Sequence, residues 1–452
     1  MKKNKHLIEK VFLEVNTNSM KVANALKNNI NVFIKTELLV LIEQELDLLL
    51  SDENEILQIE KLDISIDATL LQNDSINDLE LKEKIKNQLS QKLEFAKKQL
   101  TANKINSENN QILSLAEKKT NTLIYYLTNG VMPWWVANND DTIFNDQDLV
   151  SLINSENFKQ QFQNILDKTI VQKRLINQFS NNQLCQIIST LTARKNRLQD
   201  NKIISNLNQE NNFQLKEIFW TSVFKYLKDK NSTLIRDFYF KNVKKFELWS
   251  LPFEEFIISI KQFIPYNNND DIAIISTTKK ESEYISELQK GFYIQNAGLI
   301  IIHPFIKDLF KNCNLIKEGN TIIDKELAVH ILHYVATKKE QDYEHAMVFE
   351  KFLCGIPVQQ PIQREIKIDD SHKKQVEEML QSVLQHWNAL KSTSTDLLRN
   401  EFLQREGKLD IQDNNPRLFI EKKTQDLLLE KMPWNISVVK IPWIEKIIYT
   451  DW

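Results

Sequence analysis

The chain has 452 residues, long enough for roughly two to four domains. Its 58 basic and 61 acidic residues leave a net charge of −3, which argues against a general basic face of the kind that binds nucleic acid. Hydrophobic residues make up 42%, and no run approaches the ~20 apolar residues of a membrane span, so no stable membrane insertion is expected.

The opening MKKNKHLIEK has a basic tip without an apolar stretch behind it, which predicts no Sec signal. Cys185, Cys313 and Cys354 lie far apart and fit a reduced, cytosolic chain with no disulfide framework. Glycine punctuates the chain unevenly. Only Gly130 precedes residue 291, and proline is absent before Pro133, so long helices are expected early.

In chain order, Leu7, Glu9, Val11, Leu13 and Val15 give a first strand signal, and Leu62, Ile64 and Ile66 alternate with Asp63, Ser65 and Asp67 as a second. The two are expected to pair as an antiparallel ribbon carrying a helix over 20–50. Ile85, Leu89, Leu93, Ala96 and Leu100 step by three and four, which predicts one apolar helical stripe. A helix over roughly 112–128 should stop at Gly130. The middle, 137–290, reads as helical with breaks at Pro252 and Pro265. Its Phe219, Trp220, Phe224 and Tyr226 read as helix core, and no sustained heptads support a long coiled coil.

Beyond 290, Asp324 is expected to cap a helix to about 337. Val376, Met379, Leu380, Val383, Leu384 and Trp387 mark a second helix with Ser371 near its start, and 395–406 a third, closed by Gly407. Leu409 and Ile411, a turn at Asn414, Asn415 and Pro416, and a return at Leu418 and Ile420 predict a hairpin. Val438, Val439, Ile447 and Ile448 predict further strands. The expected fold class is α+β, predominantly α-helical, with short antiparallel strands near the N-terminus and at the C-terminus. Three regions are expected: 1–136, 137–290 and 291–452.

No GxSxG, Walker A, GxGxxG or HExxH motif occurs, and glycine is too rare for a phosphate-cradling loop outside the C-terminal third. No catalytic residue and no cofactor is therefore assigned. His330 and His333 share a helix face, and His345 and Cys354 follow, which would be the ligand set of a metal-dependent enzyme. Their spacing matches no strong metal pattern, and the apolar neighbours favour a packed helix. The carboxylate pairs Glu377–Glu378 and Asp369–Asp370 read as solvated. The Pro-Trp steps stand out: Pro133 before Trp134 and Trp135, Pro433 before Trp434, and Pro442 before Trp443, with Trp452 after them. A fixed backbone presenting a large ring serves either as a loop anchor or as an interface anchor.

Several runs together resemble the contractile injection system tape measure protein family. They are Tyr126 to Trp135, with Gly130, Pro133 and Trp134; Ala297 to Phe305, with His303 and Pro304; and His330 to Thr337. Next come Leu353 to Pro357, with Gly355; His386-Trp387; Leu390 to Ser394; and Phe402 to Gly407. Met432 to Ser437, with Pro433 and Trp434, and Ile441-Pro442-Trp443 close the set. The segments His6 to Val15 and Ile59 to Asp67 also fit. The resemblance covers roughly 6–136 and 291–452. It implies a non-catalytic part in building a particle of tube, sheath, baseplate and spike. Its expected partners are inner-tube, baseplate–spike or cap proteins and further copies of itself, with cytoplasmic assembly followed by residence in the particle. The rival within the same particle is a baseplate, cap or assembly-chaperone component without ruler activity. A fully helical, extended middle would span roughly 220 Å at ~1.5 Å per residue, which suits a short tail. The proline breaks and aromatic clusters point the other way, to a folded middle.

Overall fold

The computed structural model describes residues 6–8, 11, 13–14, 32–49, 55–59, 61–65, 79–102, 111–136, 144–191, 202–210, 212–229, 232–242, 252–262, 291–317 and 319–452. It is a mainly helical α+β protein. By its contacts the chain forms two compact units, Met1–Asn121 and Thr122–Trp452.

In the first unit, α1 (Leu39–Leu49) follows a π-helical turn at Ile34–Leu38 and packs on α2 (Leu79–Ala102). The predicted stripe of α2 is the contact face: Ile85, Leu89 and Leu93 are buried. The sheet differs from expectation. Strand β1 is Glu55–Gln58, and its antiparallel partner is β2, Gln111–Ser114, with Ile56 opposite Leu113. Residues 61–65 carry no ladder; Leu62 and Ile64 lie against Leu89 and Leu93, so their alternation records one face on a helix. The described residues of the 7–15 segment are likewise irregular, and the rest of it, with Ile66 and Asp67, lies outside the described residues. No helix among the described residues is long and apolar enough to cross a membrane.

The second unit opens within α3 (Leu115–Asn129), which ends where expected: Gly130 adopts φ +75° and its N–H returns to the Tyr126 carbonyl at 2.7 Å. A helical core follows, built by α4 (Asp146–Ile153), α5 (Glu156–Ile165), α6 (Thr169–Gln178), α7 (Asn181–Leu191), α8 (Lys202–Glu210), α9 (Phe213–Asp229), α10 (Ser232–Asn242) and α11 (Phe253–Lys261). Asn145 and Ser155 cap α4 and α5 by accepting from Asp148 and Phe158. Phe158, Phe162 and Ile165, at i, i+4 and i+7, are the buried stripe of α5. Phe219, Trp220 and Phe224 are buried as expected, with Tyr226 half-buried beside them.

The second core begins with β3 (Phe292–Ile294), a 3-10 turn at Ala297–Ile302 and α12 (His303–Asn312). The short pair β4 (Ile316–Lys317) and β5 (Thr321–Ile322) leads to α13 (Lys325–Thr337), where Asp324 accepts from the Leu327 N–H at 3.0 Å. Then come a 3-10 turn at Glu344–Met347, α14 (Val348–Leu353), α15 (Asp370–His386) and α16 (Thr395–Leu398). The helix predicted to 406 stops early. It widens into a π-helical turn, Arg399–Leu403, and Gly407 opens a strand instead of closing a helix. The predicted hairpin is β6 (Gly407–Asp410) with β7 (Arg417–Ile420). After a 3-10 helix at Thr424–Lys431, β8 (Val438–Val439) and β9 (Ile448–Asp451) complete the order β3-β6-β7-β9-β8, in which β7 and β9 run parallel.

Candidate functional site: a buried ion network and its tryptophan anchors

On α6, Val171, Arg174, Leu175 and Gln178 fall at i, i+3, i+4 and i+7, so two polar residues occupy an apolar stripe, and all four are buried. Arg174 is 0% exposed. Its Nε donates to Glu344, Nη1 to the Leu127 carbonyl and Nη2 to the Gln359 carbonyl. Glu344, also buried, accepts from the Ile362 N–H at 3.2 Å and faces Lys351 Nζ at 3.7 Å. Gln178 completes the set. Its Oε1 accepts from the Glu344 N–H (2.9 Å) and the Tyr126 hydroxyl (3.2 Å), and its Nε2 donates to the Ile362 carbonyl (2.8 Å).

Burial lowers the Lys351 pKa to about 8 and pushes the Tyr126 phenol well above its ordinary value. Gly130 lies under this network. A Cβ there would sit 2.6 Å from Arg174 Nη2 and 2.8 Å from Glu344 Oε1. Nothing local in the sequence flags Arg174 and Glu344 as partners; the only signal is an arginine and a glutamine on a hydrophobic helix face.

A second network surrounds His333. Its Nδ1 lies 3.0 Å from Glu350 Oε1 and its Nε2 3.4 Å from Asp342 Oδ2, and Asn296 Nδ2 donates to Glu350 Oε1 at 2.7 Å. Burial alone would lower the His333 pKa, but Asp342 and Glu350 outweigh it and raise it to about 9. Burial likewise opposes the Asp342 charge, yet His333 and Lys339 hold its carboxyl well below the usual carboxylate range.

The stabilisation from a raised histidine pKa is fully present below the unfolded value of about 6.5 and is lost as pH climbs through about 9. Unfolding free energy measured from about pH 6 to 9.5 should therefore fall more steeply for the native chain than for His333→Gln, by up to about 3 kcal/mol. The buried Lys351 works oppositely above about pH 8, but it is common to both proteins and cancels in the difference. Parallel pH profiles would remove the charge from His333.

The four residues of the metal reading have separate employment. His330 Nε2 is 2.8 Å from the Gln363 carbonyl. His333 is held by carboxylates. His345 stacks on Phe144 and Tyr343 at 5.4 and 6.0 Å. Burial pushes the Cys354 thiol far above its ordinary value, which disfavours the thiolate that zinc requires. Among the described residues no group of three or more His, Cys, Asp or Glu is placed to hold a metal ion. Of the carboxylate pairs, Glu377 is not merely solvated, because it accepts from the buried Arg399.

The aromatic markers are tied inward. Trp387 is 0% exposed, donates from Nε1 to the Leu428 carbonyl (3.1 Å) and meets Phe402 edge-on. Trp434 donates to the Ile301 carbonyl (2.8 Å), Trp443 to the Leu353 carbonyl (2.7 Å) and Trp452 to Asp426 Oδ2 (3.0 Å). Trp135 reaches Thr122 Oγ1 at 3.4 Å and packs against Tyr125, with Trp134 edge-on to it and Pro133 buried before them. Pro433 and Pro442 are exposed and present the rings behind them inward.

The remaining residues singled out in the sequence are backbone devices. His303 caps its own turn through Ile300 O (3.1 Å), and Pro304 occupies the first turn of α12, where a missing N–H costs little. Gly355, at φ +67°, offers its carbonyl to Lys325 Nζ at 2.9 Å. Gly407 lets β6 approach β7, since a Cβ would lie 2.6 Å from the Phe419 carbonyl.

One comparison with known families matches the chain. The sequence model described as contractile injection system tape measure protein covers residues 5–452. No curated protein and no solved structure matches. A match across nearly the full length, over a chain whose motif residues serve as anchors and turns, places it: the chain belongs to the contractile injection system tape measure protein family.

Proposed function

We propose that the chain serves inner-tube assembly as a folded scaffold, whose contribution to tail length comes from its folded dimensions and not from the number of residues in its middle region. Family membership makes it a structural component of a contractile injection system. Its partners on this reading are inner-tube rings, baseplate–spike or cap proteins and further copies of itself, met during cytoplasmic assembly and then in the particle. The three sequence regions, 1–136, 137–290 and 291–452, are the working division of this scaffold.

The supporting observation is the burial of Phe219, Trp220, Phe224 and Phe256 in one helical core. Residue count becomes length only in an extended helix, at ~1.5 Å per residue. In the middle region the helices are short, 17 residues for α9, and pack on one another. Removing residues of such a core removes packing before it removes length.

Electron microscopy of particles assembled with an in-frame deletion of 202–242 tests this. The deletion should abolish particles or leave tails at their native length. Intact particles with tails shorter by roughly 60 Å would establish an extended ruler instead.

A further inference from the structure

The second unit contains two hydrophobic cores. One is built by α4–α11, the other by residues 292–448, and α3 feeds both, giving Leu123, Ile124, Tyr126 and Leu127 to the first and Tyr125 to the second. The crossing is made by α6, by Tyr126 of α3, which meets His345 edge-on at 5.7 Å, and by Phe144. Arg174 reaches Glu344 and the Gln359 carbonyl; Gln178 takes the Glu344 N–H and donates to the Ile362 carbonyl. The Asn177 carbonyl accepts the Arg364 N–H at 3.1 Å, and Phe144 stacks on Tyr343 at 4.1 Å.

We infer that the helical core is a separable module, docked on the C-terminal core through this polar hub, and that the Arg174–Glu344 pair is a latch whose opening releases the module with both cores intact. Apart from the shared α3 and the Phe144–Tyr343 stack, the two bodies bury their apolar residues separately, so little further hydrophobic burial is lost on parting, and polar interfaces of this kind open at lower cost than the cores they join. Breaking the pair exposes its charges to water, whereas breaking either core exposes dozens of aliphatic groups. Gly130 fits the same account. It holds α3 close beneath Arg174 and Glu344, so the connection shared by the two bodies passes directly under the latch.

Hydrogen exchange on the intact chain under native conditions tests it. The Glu344 and Arg364 amides, which cross the hub, should exchange with one common opening constant, at least ~10-fold faster than amides inside α9 and α13. Arg174→Met should raise the hub's exchange a further ~10-fold or more and leave α9 and α13 within about 3-fold of native. A single rate for hub and both cores in the native chain would overturn the inference. So would an Arg174→Met protein in which all three accelerate together. Should that variant fail to fold, the native-chain comparison still decides.

Discussion

Gly298→Ala should cost well over ~3 kcal/mol, a large share of the roughly 5–15 kcal/mol that stabilises a folded domain. The reason is backbone meeting backbone. The 3-10 turn at Ala297–Ile302 lies directly on the π-helical turn Arg399–Leu403, and Ala297 donates its N–H to the Arg405 carbonyl at 2.9 Å. A Cβ on Gly298 would stand 1.7 Å from the Phe402 carbonyl oxygen and 2.9 Å from Leu403 Cα. Neither atom belongs to a side chain that can rotate away. The two turns must separate, and the buried Leu299, Ile301, Phe402 and Leu403 separate with them. Thermal unfolding should show a midpoint lowered by at least ~6 °C or no cooperative transition. Gly319→Asn is the matched control. Nothing lies within 4 Å of its Cβ, and asparagine tolerates its φ of +83°, so that variant should stay within ~1 kcal/mol of native. A Gly298→Ala protein melting with the native chain would show that this turn contact yields freely.

The contrast between Gly298 and Asp324 explains what was legible in the sequence. Asp324 announces α13 because a cap and an apolar repeat act within one helical turn of each other, and a local rule suffices. The same holds for the α2 stripe, for Gly130 after α3 and for the hairpin of β6 and β7, whose turn residues lie between its strands. The strands β1 and β2 escape notice because each has two apolar residues between polar ends, Ile56-Leu57 and Ile112-Leu113, too short for alternation to register. Leu62 and Ile64 mislead for the converse reason: alternation reports a one-sided surface, and a helix can supply the other side as well as a strand can. The aromatic anchors are visible as residue types, but whether a ring faces inward depends on carbonyls such as Ile301 and Leu353, which are 133 and 90 residues away from their tryptophans. Arg174 and Glu344, 170 residues apart, are the extreme case. A buried charge needs a partner, and that requirement says nothing about where in the chain the partner lies.

Ending the chain after Met432 should leave the C-terminal core of the second unit without a cooperative thermal transition. The missing segment holds β8 and β9, and β9 is the parallel neighbour of β7, pairing Tyr449 with Arg417 and Asp451 with Phe419. Without it β7 becomes a bare edge, its N–H and C=O groups unpaired beside a hydrophobic core. Val439, Ile441 and Ile448, each no more than 1% exposed, go with it. Burying each such side chain is worth about 1.5–3 kcal/mol. Trp434 and Trp443 also leave, and with them the rings that cover Phe305 and Phe310 at 5.3 and 5.5 Å and satisfy the Ile301 and Leu353 carbonyls. A large aromatic truncation costs roughly 3–5 kcal/mol when fully buried, so even half of that for each ring, added to the aliphatic loss, matches the ~5–15 kcal/mol available. The remaining strands cannot compensate, because β7 keeps only β6 beside it and the core loses buried side chains that belong to it. Calorimetry of the shortened chain, with an apolar dye reporting exposed core, is the measurement. A sharp transition at the native midpoint without dye binding would mean that the last strands ornament this core and do not close it.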